Sequence, residues 1–345
     1  MRRALAIGTT GLLALLATGC GPAVPSLLKP TPPPVTHRVS STSTVPAVAS
    51  TLDDAGAPHA EPLDTPTPVA SPPPPPPRVV TPARPMPTPV ASVRPKPFIQ
   101  DAMLEAQLRE ILGADRSHSI YVKNLKDGSG ASIQQDRAYP MASVFKAFVM
   151  WEAFRQRSAG TLSFDHEMEV TPYFKSFELG TNRVQAGDVV TVRTALELMM
   201  SVSDTPTGVL LQDTVGYRNV NASLRSIGIQ DSGLFYPQPG AMATARDMGV
   251  FLEAIEAGTG VSPALRNEMV ALLLSETTDN GLRAGVPATV PVAHKTGLLE
   301  DARHDVGIVY LDGSPYVIAI LSDRTSANLT QRISRAVHDY YAGGA

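Results

Sequence analysis

The sequence is short of cysteine and of aromatic residues: among 345 residues there is one cysteine and one tryptophan, and aromatics make up 6%. A lone Cys20 excludes an internal disulfide and a cysteine-cluster metal site. Neither sign of charge dominates, and a net charge of -3 leaves no basic stripe for nucleic acid. The 7 histidines are scattered without an HExxH or paired spacing, so no metal centre is expected. There is no P-loop and no strand-embedded GxGxxG, so no nucleotide cofactor is expected either. Apolar runs long enough to span a bilayer are also missing.

The longest apolar run, residues 4–17, follows Arg2 and Arg3 and ends in Leu16-Ala17-Thr18-Gly19-Cys20. Residues 1–19 therefore read as a signal peptide. The end of the run resembles a bacterial lipobox, with Leu16 one place earlier than usual. That resemblance implies a lipid on Cys20 and an exported, membrane-anchored protein facing the periplasm or the cell surface. Residues 20–97 are mostly Pro, Ala, Val, Ser and Thr, with an unbroken proline run at 72–77. Such a segment buries too little apolar surface to offset its ordering entropy, and it reads as a disordered tether. At ~3.1 Å per residue its reach is on the order of 200 Å.

Globular character begins at Phe98, and residues 98–345 form one two-lobed domain, expected to be monomeric. Ile99, Met103, Leu104, Leu108, Ile111 and Leu112 follow a helical period. Strands are expected at 119–125 and 131–135 about a Gly-containing turn, and a helix at 143–156. Helical patterns fill 192–202, 205–213, 219–227, 243–256 and 263–274. Strands return at 290–294, 306–311 and 316–322, before a last helix at 327–341. Strands at both ends and helices between predict an α+β fold: one antiparallel sheet flanked by helices, with an inserted all-helical lobe.

Three short motifs carry chemistry. Ser143-Val144-Phe145-Lys146 places a hydroxyl and an amine three apart on a helix, within hydrogen-bonding reach. An amine can activate a neighbouring serine when desolvation or a second cation lowers its pKa. Alone this motif says little, since Ser26-Leu27-Leu28-Lys29 in the tether has the same pattern. Company in order distinguishes the two: Ser203-Asp204-Thr205 lies where two helical patterns meet, and Lys295-Thr296-Gly297 ends a predicted strand.

Together these resemble the SxxK, SDN and KTG elements of class A β-lactamases and penicillin-binding DD-peptidases. The resemblance covers most of residues 118–325 and implies a two-lobed β-lactamase/transpeptidase-like fold and a serine hydrolase. It implies that Ser143 attacks the carbonyl, Lys146 takes its proton, and Ser203, touching Lys295, passes a proton to the leaving nitrogen. Lys295 and Thr296 would bind the substrate carboxylate, and Lys295 would keep Lys146 partly neutral. Gly297 would let substrate approach the strand, and the N–H groups of Ser143 and Leu298 would form the oxyanion hole. Asp204 reads as a helix N-cap, His294 and His304 as structural, and Arg303 as a possible second carboxylate contact. The implied partner is a β-lactam or a peptidoglycan stem peptide.

Two departures matter. Class A enzymes carry, after the SDN element, a loop whose Glu positions the deacylating water; here no glutamate occurs between Asp204 and Leu252, and Glu253 comes too late. The stretch 233–240 is short and apolar, as if that loop were truncated. Thr205 stands where the family has Asn, which removes part of a contact to the active-site lysine and substrate. These departures predict acylation by β-lactams with slow hydrolysis. A D-Ala-D-Ala carboxypeptidase or transpeptidase, and a non-catalytic binder of muropeptides or β-lactams, remain as alternatives.

Overall fold

The computed structural model describes residues 96–179, 182–236, 240–323 and 326–343. Cys20, the tether and the Ser26–Lys29 match lie outside the described residues. The main sheet has six strands in the order Ile99–Gln100, Ser129–Ile133, His118–Asn124, Tyr316–Ser322, Arg303–Val309, Val292–Leu298. Every pairing is antiparallel except the first: the two-residue edge strand runs parallel to Ser129–Ile133. The expected antiparallel sheet thus gains a short parallel edge.

The central strands His118–Asn124 and Tyr316–Ser322 are buried at every position, so both sheet faces are covered. Side chains alternate between two cores, as the two-residue period of a strand requires. Tyr121, Val317, Ala319 and Leu321 face the helical lobe, whereas Ile120, Val122, Ile318 and Ile320 face the terminal helices. Those helices are Ala102–Leu112 and Ala327–Tyr341, and Asp101 joins them. Its carboxylate caps Met103 and Leu104 N–H and accepts the Tyr340 hydroxyl at 2.7 Å. This cap also corrects the apolar stripe predicted from Ile99 onward. The helix begins at Ala102, so Leu104, Leu108 and Leu112 face inward while Met103 points out and Ile99 belongs to a strand.

In the helical lobe the starts at Val192, Thr205 and Pro263 fall where expected, whereas the helices expected from 219 and 243 begin at Tyr217 and Ala245. Thr191, Asp204, Thr244 and Ser262 each accept a backbone N–H three residues on, as N-caps do. At its centre runs Phe145–Ser158, buried without interruption from Phe145 to Phe154. Apart from Lys146 and Glu152 this stretch is apolar on all sides, which places it inside. Two small sheets correct the expectation of an all-helical insertion. Glu167–Glu169 pairs with Val189–Thr191, and a three-stranded sheet joins Tyr139–Pro140, Gly240–Ala243 and Gly233–Phe235. Strands of two to four residues are too short to show alternation in sequence.

Candidate active site

The nucleophile segment is clamped before its helix starts. Ser143 lies not in the α-helix but in the preceding 3₁₀ turn, Ala142–Val144. Met141 N–H donates to Ala241 O at 3.0 Å, which ties the turn to the small sheet. From the other side His304 Nε2–H donates to Pro140 O at 2.7 Å, while its Nδ1 accepts Ser322 N–H at 3.1 Å. Those two bonds fix one neutral tautomer, and burial pushes the His304 pKa down, so this imidazole is a fastener. Ala142 has φ 48, a left-handed conformation that costs a non-glycine residue about 1–3 kcal/mol and that the clamps sustain.

Lys146 is fully buried and stands at the centre of four oxygens. Its Nζ lies 2.9 Å from Ser143 Oγ, 2.6 Å from Ser203 O, 3.2 Å from Ser203 Oγ and 3.2 Å from Thr205 Oγ1. Burial, and then the charge of Lys295, hold its pKa well below the ordinary lysine value, against the opposing pull of Asp204 and Glu276. A neutral amine keeps a lone pair, so it can take a proton from either serine hydroxyl. Thr205 thus retains a contact to the lysine, and it also donates to Leu179 O at 3.2 Å.

Room for this lysine comes from Gly208, whose added Cβ would stand 2.8 Å from Lys146 Cε. Gly208 lies inside the helix Thr205–Val215, where alanine is favoured by about 0.5–1 kcal/mol. Overpacking costs about 1–3 kcal/mol and exceeds that gain, so Gly208→Ala should lower the melting temperature and displace the amine, with acylation falling by ~10-fold or more. Unchanged acylation in a folded variant would show that Gly208 is not needed to place the amine.

Ser203, with φ 58, bridges the end of one helix at Ser201 and the cap of the next at Asp204. Asp204 is buried and accepts Thr207 N–H at 2.9 Å, Thr207 Oγ1–H at 2.8 Å and Arg183 N–H at 2.6 Å. It is the expected cap, and it also anchors a neighbouring loop.

The KTG strand lies against the nucleophile turn. A Cβ on Gly297 would come 3.0 Å from Met141 O and 3.2 Å from Ala142 Cβ. Gly297 therefore serves close approach of the turn to the strand. Lys295 is fully buried, and its Nζ pairs with Glu276 and donates to Thr296 O at 3.2 Å. The same Glu276 oxygen accepts Thr296 Oγ1–H at 3.3 Å. Burial would raise the Glu276 pKa, but the charge and hydrogen bond of Lys295 outweigh it and hold the carboxyl below its ordinary value. Sequence gave no sign of Glu276, which follows the helix Pro263–Leu274 in an unpatterned loop. Beside it, His294 pairs with buried Asp305 at 2.9 Å, and Asp305 accepts Leu282 N–H at 2.7 Å. Arg303 donates to Asn280 Oδ1 at 2.9 Å and pairs in register with Leu298.

These elements surround a cleft of about 650 Å³. Ser143, Ser203, Thr205, Thr296 and Leu298 line it, with apolar walls that include Leu179, Phe235 and Leu299. Lys146 and Lys295 sit behind that lining. Gly240, Ala241 and Met242 line the cleft from the hairpin that sequence read as a truncated loop; Pro237, Gln238 and Pro239 lie outside the described residues. Glu300, in the turn after the KTG strand, is the one acid among the described lining residues. Glu253 is far from this role: it is buried against Lys123 and Tyr121.

The chain is similar to proteins of known kind. A family model described as the β-lactamase enzyme family matches residues 103–341. The β-lactamase AST-1 of Nocardia asteroides is 30% identical over 219 residues, covering 57% of this chain and 69% of that protein. The solved structure of PBP-A superposes with a TM-score of 0.68 at 22% identity, covering 72% of this chain and 100% of that one. A mutant of PBP-A, solved as an acyl-enzyme complex with penicillin G, matches equally well, at 0.68 and 22%. A variant of the last common ancestor of Gram-negative class A β-lactamases gives 0.64 at 25% identity, over 71% and 100%. The chain belongs to the β-lactamase enzyme family, as a class A-like serine hydrolase.

Proposed function

We propose that the protein is a penicillin-recognising hydrolase that forms an acyl-enzyme on Ser143 and releases it slowly. The observation that carries this reading is the buried Lys146 amine, at 2.9 Å from Ser143 Oγ and 3.2 Å from Ser203 Oγ. Ser143 Oγ attacks the β-lactam carbonyl carbon as its proton moves to Lys146 Nζ. The proton then passes through Ser203 Oγ to the ring nitrogen as the C–N bond breaks, leaving an ester on Ser143. Hydrolysis of that ester requires a water and a base. The hairpin Gly233–Ala243 brings Phe235, Ala241 and Met242 to the cleft, and no carboxylate.

The same feature supports a second reading, a DD-peptidase acting on wall stem peptides, in which Lys146 serves both steps and a departing D-Ala turns over better than a β-lactam. Intact-mass analysis after exposure to benzylpenicillin separates the readings. With D-Ala release from a stem peptide followed in parallel, a lasting adduct and little D-Ala supports the slow hydrolase, a lasting adduct and sustained D-Ala release the DD-peptidase, a transient adduct efficient β-lactam hydrolysis, and no adduct a non-catalytic binder.

Anchoring through a lipid on Cys20 belongs to the same proposal, because both substrate classes lie outside the cytoplasm. Cys20→Ala is expected to move the protein from the membrane fraction to the soluble fraction. Retention of that variant on membranes would contradict the lipid anchor.

A further inference from the structure

The carboxylate site implied for Lys295 and Thr296 already holds a carboxylate. Glu276 Oε2 pairs with Lys295 Nζ and lies 3.3 Å from Thr296 Oγ1 and 3.5 Å from Thr296 N. Its other oxygen accepts Thr278 N–H at 3.2 Å, so the side chain is fixed at both ends. Lys295 and Glu276 are both shut off from solvent, with side-chain exposures of 0% each. Thr296 nevertheless lines the cleft, so the pair lies directly behind its wall.

The charges around this point cancel. Lys295 is matched by Glu276, and the neighbouring His294 by Asp305. No lysine or arginine is among the described residues that line the cleft, and the one charged residue there, Glu300, is negative. Among the described lining residues an incoming anion therefore meets hydroxyl and backbone donors but no uncompensated cation, and a compensated ion pair attracts a third charge only weakly.

We propose that Glu276 is a specificity-determining residue: its carboxylate takes the place of a substrate carboxylate on Lys295 and Thr296, so a negative charge on the substrate adds little to acylation. This rests on the reading that Ser143 is acylated by β-lactams. Glu276 acts through Lys295 and Thr296 and touches no reacting atom, so it is a positioning residue. The substrate class that suits such a site includes acyl donors whose carboxylate is absent, amidated or esterified, with apolar groups against Leu179, Phe235, Leu298 and Leu299.

The test compares acylation by benzylpenicillin with acylation by its primary carboxamide, which has nearly the same shape without the charge. In the wild-type full chain the second-order rate constants for the two are expected to agree within about fivefold, an electrostatic difference of less than one decade. In Glu276→Gln, Lys295 is left uncompensated, and the preference for the acid is expected to rise by about tenfold or more over the wild type. A loss of packing alone would slow both compounds alike and leave the ratio unmoved. A wild-type preference for the acid beyond fivefold overturns the proposal, and so does an unchanged ratio in a folded variant. Should Glu276→Gln not fold, the wild-type ratio decides alone. Absence of any adduct from both compounds would instead overturn the acylation reading, and this proposal with it.

Discussion

Lys146→Ala is expected to slow acylation of Ser143 by at least ~10²-fold, the low end for a general base. Ser143→Ala is expected to abolish labelling by a fluorescent penicillin, while Ser26→Ala leaves it intact. The argument rests on a single nitrogen within 3.2 Å of both serine hydroxyls, in surroundings that favour its neutral form. The sign of the pH dependence follows. The active form of Lys146 is the deprotonated one, so acylation rises with pH through its pKa. Burial and the Lys295 charge depress that pKa, so the rising limb should lie well below the ordinary lysine value of 10.5. Removing the cation in Lys295→Ala leaves burial but deletes the repulsion, and the limb moves to higher pH. A limb at the ordinary lysine position in the wild type would show that Lys146 is not the base.

Release of the acyl group is expected to take minutes or longer, because no glutamate stands between Asp204 and Leu252 to serve as its base. General-base assistance is worth ~10²–10⁴-fold, or roughly 3–5 kcal/mol of barrier at about 1.4 kcal/mol per decade. The acids nearest the machinery are committed elsewhere: Asp204 to three donors, and Glu276 to Lys295. Glu300 is exposed in the turn after the KTG strand. Glu300→Gln should therefore leave the decay of a fluorescent penicillin adduct unchanged in a pulse-chase. A clear slowing in that variant would identify Glu300 as the base and revise the account.

What sequence could show was local chemistry. The helices at 263–274 and 327–341 and the strand at 316–322 were read with the bounds the structure gives them, because caps, prolines and apolar periods mark them. Ser143, Lys146, Ser203 and Thr205 were found by motif, and the fold gathers them around one nitrogen. Pairings between distant segments were not legible. Glu276 reaches Lys295 because a loop after one helix packs on a strand nineteen residues later (295 − 276). His304 reaches Pro140 across 164 positions. Such contacts leave no periodic trace. The hairpin Gly233–Ala243 was missed for a different reason: its strands have 3 and 4 residues, and a Gly/Pro-rich stretch reads as loop. Even so, the absence of glutamate between Asp204 and Leu252 was visible in the sequence, and the proposal of slow release follows from it.

Fast capture and slow release can be read together from a nitrocefin time course with the enzyme at micromolar concentration. The account predicts a burst of about one equivalent, from acylation of a single serine, followed by a nearly flat line set by the missing general base. Sustained turnover at tens per second would contradict it, since some group would then be holding water against the Ser143 ester as effectively as a dedicated base.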